Sequence, residues 1–315
     1  MPRPFTLKRF TDPHAFVAAA EPFMLQREAA NCLQLGLLPA VVAGLFDDAY
    51  QAIVEGPEGD VALVALQTPP HRLILSDVVV RDAASGSAAA GAETVAELAE
   101  TLVEALLEPP VDEPACDGPL DVSGVLGPVA LAAAFAEAWA ERRAVPVSRT
   151  VQERVYVCTE VTRVSGVPGA MVKAGLDQVD LLVDLVARFR EEALPYEQPS
   201  TREQVADVVR RDLASDSGGL WLWEHAGRVV SLAGARGATR HGVRVGPVYT
   251  PPELRGHGYA TALTATLTEH LLASGRRHVT LFTNLANPTS NAIYQRIGYV
   301  GVTDRDVYDF GQPVG

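Results

Sequence analysis

One order of elements can be read twice along these 315 residues: a short strand, helices, three strands, a helix, a strand, a helix and a strand. In the first half the strands fall at residues 6–10, 50–55, 61–67 and 72–76, with helical patterns that end near Leu38. Val95, Leu98, Leu102, Val103 and Leu106 recur at the 3.6-residue period of a core-facing helix over 93–107, and a companion helix follows at 128–142. Residues 124–127 read as a short strand, and Val155, Val157, Thr159 and Val161 alternate as one strand face over 154–164. The second half places strands at 170–174, 220–225, 228–235, 243–249 and 278–284, helices at 177–193, 201–213, from the glycine turn to 274 and at 288–297, and a terminal strand pair near 299–302 and 306–310.

The three-strand runs are joined by connections too short for parallel crossovers. Each half is therefore expected to be α+β, a mixed, mostly antiparallel sheet flanked by helices. The halves share architecture but no residue-level identity. Ser-Gly-Val-Pro-Gly at 165–169 is turn chemistry, so the domains are placed at 1–165 and 166–315.

A formal net charge of −13 disfavours broad binding to a phosphate backbone, which depends on clustered Lys and Arg, so nucleic acid is not an expected partner. Cys32, Cys116 and Cys158 include no CxxC pair and an odd number cannot all pair, which favours reduced thiols. The start has no apolar signal core, and no run approaches the ~20 apolar residues of a membrane span. The expectation is a soluble cytoplasmic protein with no membrane partner. Oligomeric state is left open.

Strand 243–249 feeds Thr250-Pro-Pro-Glu-Leu and then Arg255-Gly256-His257-Gly258-Tyr259-Ala260, which opens a helix. Two glycines let successive N–H groups converge, and the helix start adds unsatisfied donors and a positive dipole end. Such a turn suits a pyrophosphate, with Arg255 and His257 at its rim. A plain tight turn is the alternative. A Walker loop fails because Tyr259 follows Gly258 where Lys is needed. A dinucleotide fingerprint fails on Thr261 and on the lack of an acid about 20 residues on.

Asn287 before Pro288 is a strong helix start, and Gly298 is a natural stop. On that helix Asn287, Asn291 and Tyr294 stand at i, i+4 and i+7, one polar face, with Ile293 and Ile297 turned elsewhere.

The segment from Val243 to Tyr299 resembles the acetyl-CoA-binding core of the GNAT superfamily of N-acetyltransferases. The resemblance rests on Arg255-x-x-Gly258-x-Ala260 after a strand, then Asn287, Asn291, Tyr294 and Gly298-Tyr299 one helix and strand later. The whole chain resembles tandem GNAT proteins, the first half being a degenerate partner that lacks the corresponding turn at 80–93. The resemblance implies acetyl transfer from acetyl-CoA straight to an amine, without a metal or a cysteine nucleophile. Backbone groups of Gly246 to Tyr249 would meet the pantetheine arm as an added strand would, a backbone N–H near Val248 would polarise the thioester carbonyl, and Thr250 is assigned to the same ligand. Arg255, Gly256, His257, Gly258, Tyr259, Ala260 and Thr261 would hold the pyrophosphate, with Asn287 and Asn291 assigned to the same ligand. Tyr294 would protonate the departing thiolate, since a phenol with a pKa near ~10 keeps its proton at neutral pH.

The general base is open among Glu191, Glu192, Glu224, Asp304 and Asp306. The acceptor is a small-molecule or peptide amine of unknown identity. Two alternatives stand beside this reading: a non-catalytic acyl-CoA sensor or interaction protein on the same fold, and an amino-sugar acetyltransferase similar to mycothiol synthases.

Overall fold

The computed structural model describes residues 5–46, 48–78, 91–107 and 122–311. They form two compact units, Met1–Arg154 with Thr303–Gly315, and Val155–Val302. Compared with a division at residue 165, residues 155–165 fall in the second unit and the last strand falls in the first.

Unit 1 begins with β1 (Thr6–Arg9), α1 (Pro13–Met24) and α2 (Cys32–Val42), followed by β2 (Tyr50–Glu55), β3 (Val61–Gln67) and β4 (Leu73–Leu75). It continues through α3 (Ala92–Leu107), β5 (Gly124–Pro128), α4 (Val129–Arg143) and β6 (Val147–Cys158), whose last four residues belong to unit 2. An Ala/Gly/Ser-rich stretch of the sequence at 83–92 lies outside the described residues as far as Ala90, as do Cys116 and most of the 80–93 segment. α1 starts where the Asp12 side chain accepts from the His14 N–H at 2.9 Å, with Pro13 at the first helical position.

Unit 2 holds β7 (Ala170–Lys173), α5 (Val179–Ala193), α6 (Arg202–Leu213), β8 (Gly219–His225), β9 (Arg228–Arg236) and β10 (Gly242–Tyr249). Then come α7 (Tyr259–Ala273), β11 (His278–Asn284), α8 (Pro288–Arg296) and β12 (Val300–Phe310), which belongs to unit 1 from Thr303 onward. Thr201 and Gln204 form a reciprocal capping box at the start of α6.

The terminal strand pair expected near 299–310 is instead one strand of eleven residues. Asp304 and Asp306, both candidate bases from sequence, are engaged as residues of that strand. Arg154 binds Asp304 through two hydrogen bonds at 2.6 and 2.8 Å, and Gln152 donates to Asp306 at 3.0 Å. The strand expected to run to residue 164 stops at Cys158, where the Sγ donates to the Glu160 carbonyl at 3.2 Å.

In unit 1 the strands lie in the order β1-β2-β3-β4-β5-β12-β6, antiparallel from β1 through β4 and again between β5 and β12, with β4 and β5 parallel. In unit 2 the order is β6-β11-β10-β9-β8-β7, with β10 and β11 parallel and the β10–β9, β9–β8 and β8–β7 pairs antiparallel. Each sheet is packed on both faces. In unit 2, Trp221 and Trp223 enter the core shared with α7 and α8, while Leu220 and Leu222 enter the core beneath α5 and α6. That split follows from the period-2 alternation of a strand. No described helix is long and apolar enough to cross a membrane.

Candidate active site

The site grows from the far end of β10. Its parallel ladder with β11 joins Gly242, Val243 and Arg244 to His278, Val279 and Thr280 and then stops. From Val245 to Tyr249 that edge of β10 has no strand partner among the described residues. The other edge follows β9 through a bulge between Val245 and Val248. Gly246 there has φ 151°, and its carbonyl accepts from Arg236 Nε at 2.9 Å. Glycine supplies the bulge and Pro247 contributes no donor. Pairing resumes at Val248 and Tyr249, opposite Ala233 and Leu232.

Ser231 marks where strand becomes turn. Its hydroxyl donates to the Tyr249 carbonyl at 3.0 Å and lies 2.9 Å from the Thr250 hydroxyl. A short 3-10 turn over Pro252–Leu254 follows, then Arg255 in extended backbone, then Gly256 and Gly258 at φ 83° and 80°. Those left-handed positions disfavour any residue with a side chain. At Gly258 a Cβ would in addition come 3.1 Å from Val167 Cγ2, whereas at Gly256 it would meet open space. Gly258 is the N-cap of α7 and has no side chain to cap it, so the first-turn N–H groups, those of Ala260 and Thr261 among them, have no partner within the helix. They stand at its positive end, a ready place for an anion.

Arg255 is already engaged. Its Nε donates to the Thr250 carbonyl at 2.9 Å, its Nη2 donates to Glu192 Oε2 at 2.5 Å, and its guanidinium lies 5.8 Å from the Tyr249 ring centre. The Tyr249 hydroxyl donates to the other Glu192 oxygen at 2.6 Å. Hydrogen bonds from Arg255 and then Tyr249 hold the Glu192 carboxyl below the usual range. Burial, and then the bond to Glu192, pushes the Tyr249 phenol up to about 12. Nearby, the Tyr259 ring sits 5.5 Å from exposed His257 and 5.9 Å from His225.

One element later, the Asn287 side chain caps α8 by accepting from the Ser290 N–H at 3.0 Å. Asn291 is wholly committed: its Nδ2 donates to the Asn284 and Asn287 carbonyls at 3.0 and 2.7 Å, and its Oδ1 accepts from the Tyr156 hydroxyl at 2.9 Å. It thereby ties the end of β11, the start of α8 and β6 together. Tyr294 is buried between Tyr156 and Tyr299, with ring centres 6.5 and 6.0 Å away. Burial pushes its phenol up to about 12. The hydroxyl makes no hydrogen bond to any described residue. Ile297 enters the same core as Tyr294, so the polar face expected on α8 is only partly polar.

Residues 184–299 match the model of the acetyltransferase (GNAT) family. That stretch is a GNAT acetyltransferase domain. No curated protein shows a significant match to the chain. Among solved structures, a GNAT-family acetyltransferase from Colwellia psychrerythraea is 13% identical with a TM-score of 0.54, covering 98% of this chain and 100% of its own. A GCN5-related N-acetyltransferase from Kribbella flavida is 16% identical with a TM-score of 0.55, covering 92% and 95%. A tandem GNAT protein from the clavulanic acid biosynthesis pathway is 13% identical with a TM-score of 0.54, covering 99% of both chains. The likeness at such identities is one of fold, and the fold is that of tandem GNAT proteins.

Two residues that frame the site escape a sequence reading. Tyr156 is hidden because the neighbouring valines set the apparent strand face. Ser231 does leave a signal, as a hydroxyl inside the apolar run Val229-Val230-Ser231-Leu232-Ala233. Glu192 is a candidate base from sequence, but its bonds to Tyr249 and Arg255 come only from the fold. Of the other candidate bases, Asp304 and Asp306 belong to unit 1 and are bonded there, and Glu224 stands on β8 opposite Ala170 and Val229.

Proposed function

We propose that unit 2 transfers an acetyl group from acetyl-CoA to a primary amine of a small molecule or peptide. The observation that carries the reading is the unpartnered edge of β10 running directly into the Gly256–Gly258 turn. A strand edge offers amide-pairing groups to an extended arm, and the helix start beyond it offers N–H donors to a pyrophosphate. Glycine suits position 258, since a Cβ there would approach Val167 Cγ2 at 3.1 Å and φ is 80°. The groups assigned to the donor molecule are therefore the backbone of Val248, Tyr249 and Thr250 and the turn from Arg255 through Thr261.

Acetyl-CoA, when bound, supplies an activated acetyl group on a thioester. The chain's own part is to position the donor, stabilise charge and deliver a proton. Tyr294 holds its proton across the physiological range and has no competing hydrogen bond, so its hydroxyl is assigned to protonate the departing sulfur. Asn287 and Asn291 act through α8: their side chains are spent on the helix start and on β6, which fixes where Tyr294 stands. Glu192 is a poor general base, because two donors stabilise its charged form and lower its appetite for a proton. It is assigned instead to hold Arg255 beside the turn.

The test pairs binding with turnover. Acetyl-CoA titrated by calorimetry should bind, and a panel of amines should include one that releases free thiol in an enzyme-dependent way. Absence of acetyl-CoA binding would sink the proposal. Binding without turnover on any amine, unchanged by Tyr294→Phe, would instead favour an acyl-CoA sensor.

A further inference from the structure

A cavity lies at the C-terminal end of α7, opposite the glycine turn. It has a volume of about 450 Å³, within the range of roughly 300–1,000 Å³ common for small-molecule sites. Lys173, Arg240, Arg276 and Arg277 line it, against a single acid, Asp216. His241 and His270 add imidazoles, and Trp221 adds an aromatic wall. Four Lys and Arg side chains against one Asp reverse the sign of a chain whose formal charge is −13. The charge of the distant surface is screened over ~8 Å at physiological salt, so the cavity's own cations govern what enters it.

The cations are held in place by the fold. The Arg277 N–H donates to the His241 carbonyl at 2.8 Å, which ties the α7–β11 loop to the β9–β10 loop. Arg276 Nη1 lies 3.4 and 3.5 Å from the Thr239 and Gly242 carbonyls. The Lys173 ammonium stands 5.8 Å from the Trp221 ring centre, and the His270 ring 6.2 Å from the same indole. Lys173, Arg276 and Arg277 form no ion pair among the described residues.

The end of α7 accounts for only part of this charge. Leu271, Ser274 and Gly275 also line the cavity, and a helix C-terminus carries the equivalent of about half a negative charge, enough to balance less than one cation. Nor is this the glycine turn seen from another side. α7 has fifteen residues, so its two ends stand about 22 Å apart at ~1.5 Å per residue.

We infer that this cavity is a second ligand site of unit 2, and that it takes a small phosphate-bearing polyanion. Guanidinium groups match phosphate oxygens with paired N–H donors, and an excess of three positive charges calls for a ligand with more than one negative charge. The site is independent of the acetyl-transfer reading and draws on none of its residues.

Inorganic pyrophosphate titrated into the full chain by calorimetry, at constant ionic strength, tests it. Saturable binding is expected, weakened at least tenfold in the double variant Lys173→Gln/Arg277→Gln, whose acetyl-CoA affinity stays at the parent value. Arg240→Gln should weaken pyrophosphate by a smaller factor and serves if the double variant fails to fold. Gly258→Val should impair acetyl-CoA binding and spare pyrophosphate. The inference is overturned if pyrophosphate does not bind saturably, or if Gly258→Val abolishes its binding while the cavity variants leave it unchanged.

Discussion

The two units place the same parallel strand pair at the centre of the same order of elements, and they treat the ends of that pair differently. In unit 1, β4 is three residues long, and the guanidinium of Arg305 from β12 covers its end. Arg305 is fully buried; its Nη1 donates to the Ala30 carbonyl at 3.1 Å and its Nη2 to the Leu75 carbonyl. In unit 2, β10 is eight residues long, breaks its ladder at a bulge, and leads to a turn of left-handed glycines and a helix start whose first N–H groups have no partner within the helix. One copy of the motif is filled by its own chain, and the other is left able to accept a ligand. The lesson is that shared topology carries no function by itself; what occupies the ends of the central strands does.

The largest effect that would break this comparison is on the filled side. Arg305→Ala should destabilise unit 1 by about 3–5 kcal/mol, because it leaves a cavity and strands two buried carbonyls. Urea unfolding should show the loss, and acetyl-CoA affinity of the folded protein should be unchanged. Arg305→Met, which keeps much of the volume, should cost less.

On the open side, Tyr294→Phe should lower the turnover rate about 100-fold with little change in acetyl-CoA affinity. Equal losses in both would assign Tyr294 to packing. Gly258→Ala should weaken acetyl-CoA roughly tenfold, since φ 80° and the Val167 contact both oppose a methyl group. Gly256→Ala, facing open space, should do less harm, and comparing the two affinities separates backbone strain from the clash.

The smallest effect is in pH. Tyr294 and Tyr249 are both raised to about 12 from an ordinary value near 10, so the folded state keeps protons that the unfolded state gives up. Their contribution to stability is complete below about pH 10 and is lost as pH rises toward 12. Melting temperature should therefore hold from neutral pH to about 10 and then fall. The rate should likewise show no loss attributable to Tyr294 below about pH 11 once the amine is neutral. An alkaline limb near 10 would mean that the phenol is solvated.

Most elements were legible because their periodicity is strong: α3 announces itself through Val95, Leu98, Leu102, Val103 and Leu106, all buried. The glycine turn and the start of α8 were legible because Gly and Asn-Pro have few other uses at such positions. What stayed hidden depends on partners far away in sequence. Asp304 and Asp306 read as candidate bases until Arg154 and Gln152 are found bonded to them. Arg305 reads as a surface cation, since nothing near it reveals that Ala30 and Leu75 await its donors. Arg255 reads as a free cation at the turn, and only the fold brings Glu192 to it.

The return of Thr303–Phe310 to unit 1 also sets a timetable for synthesis. A ribosome adding roughly 5–20 residues per second needs about 7–30 s to make the intervening residues 155–302. Throughout that interval the nascent first unit lacks both the strand between β5 and β6 and the guanidinium that satisfies Leu75. The second unit, whose residues are all made before Thr303, can finish folding before the first is complete, reversing the usual order in which domains leave the ribosome.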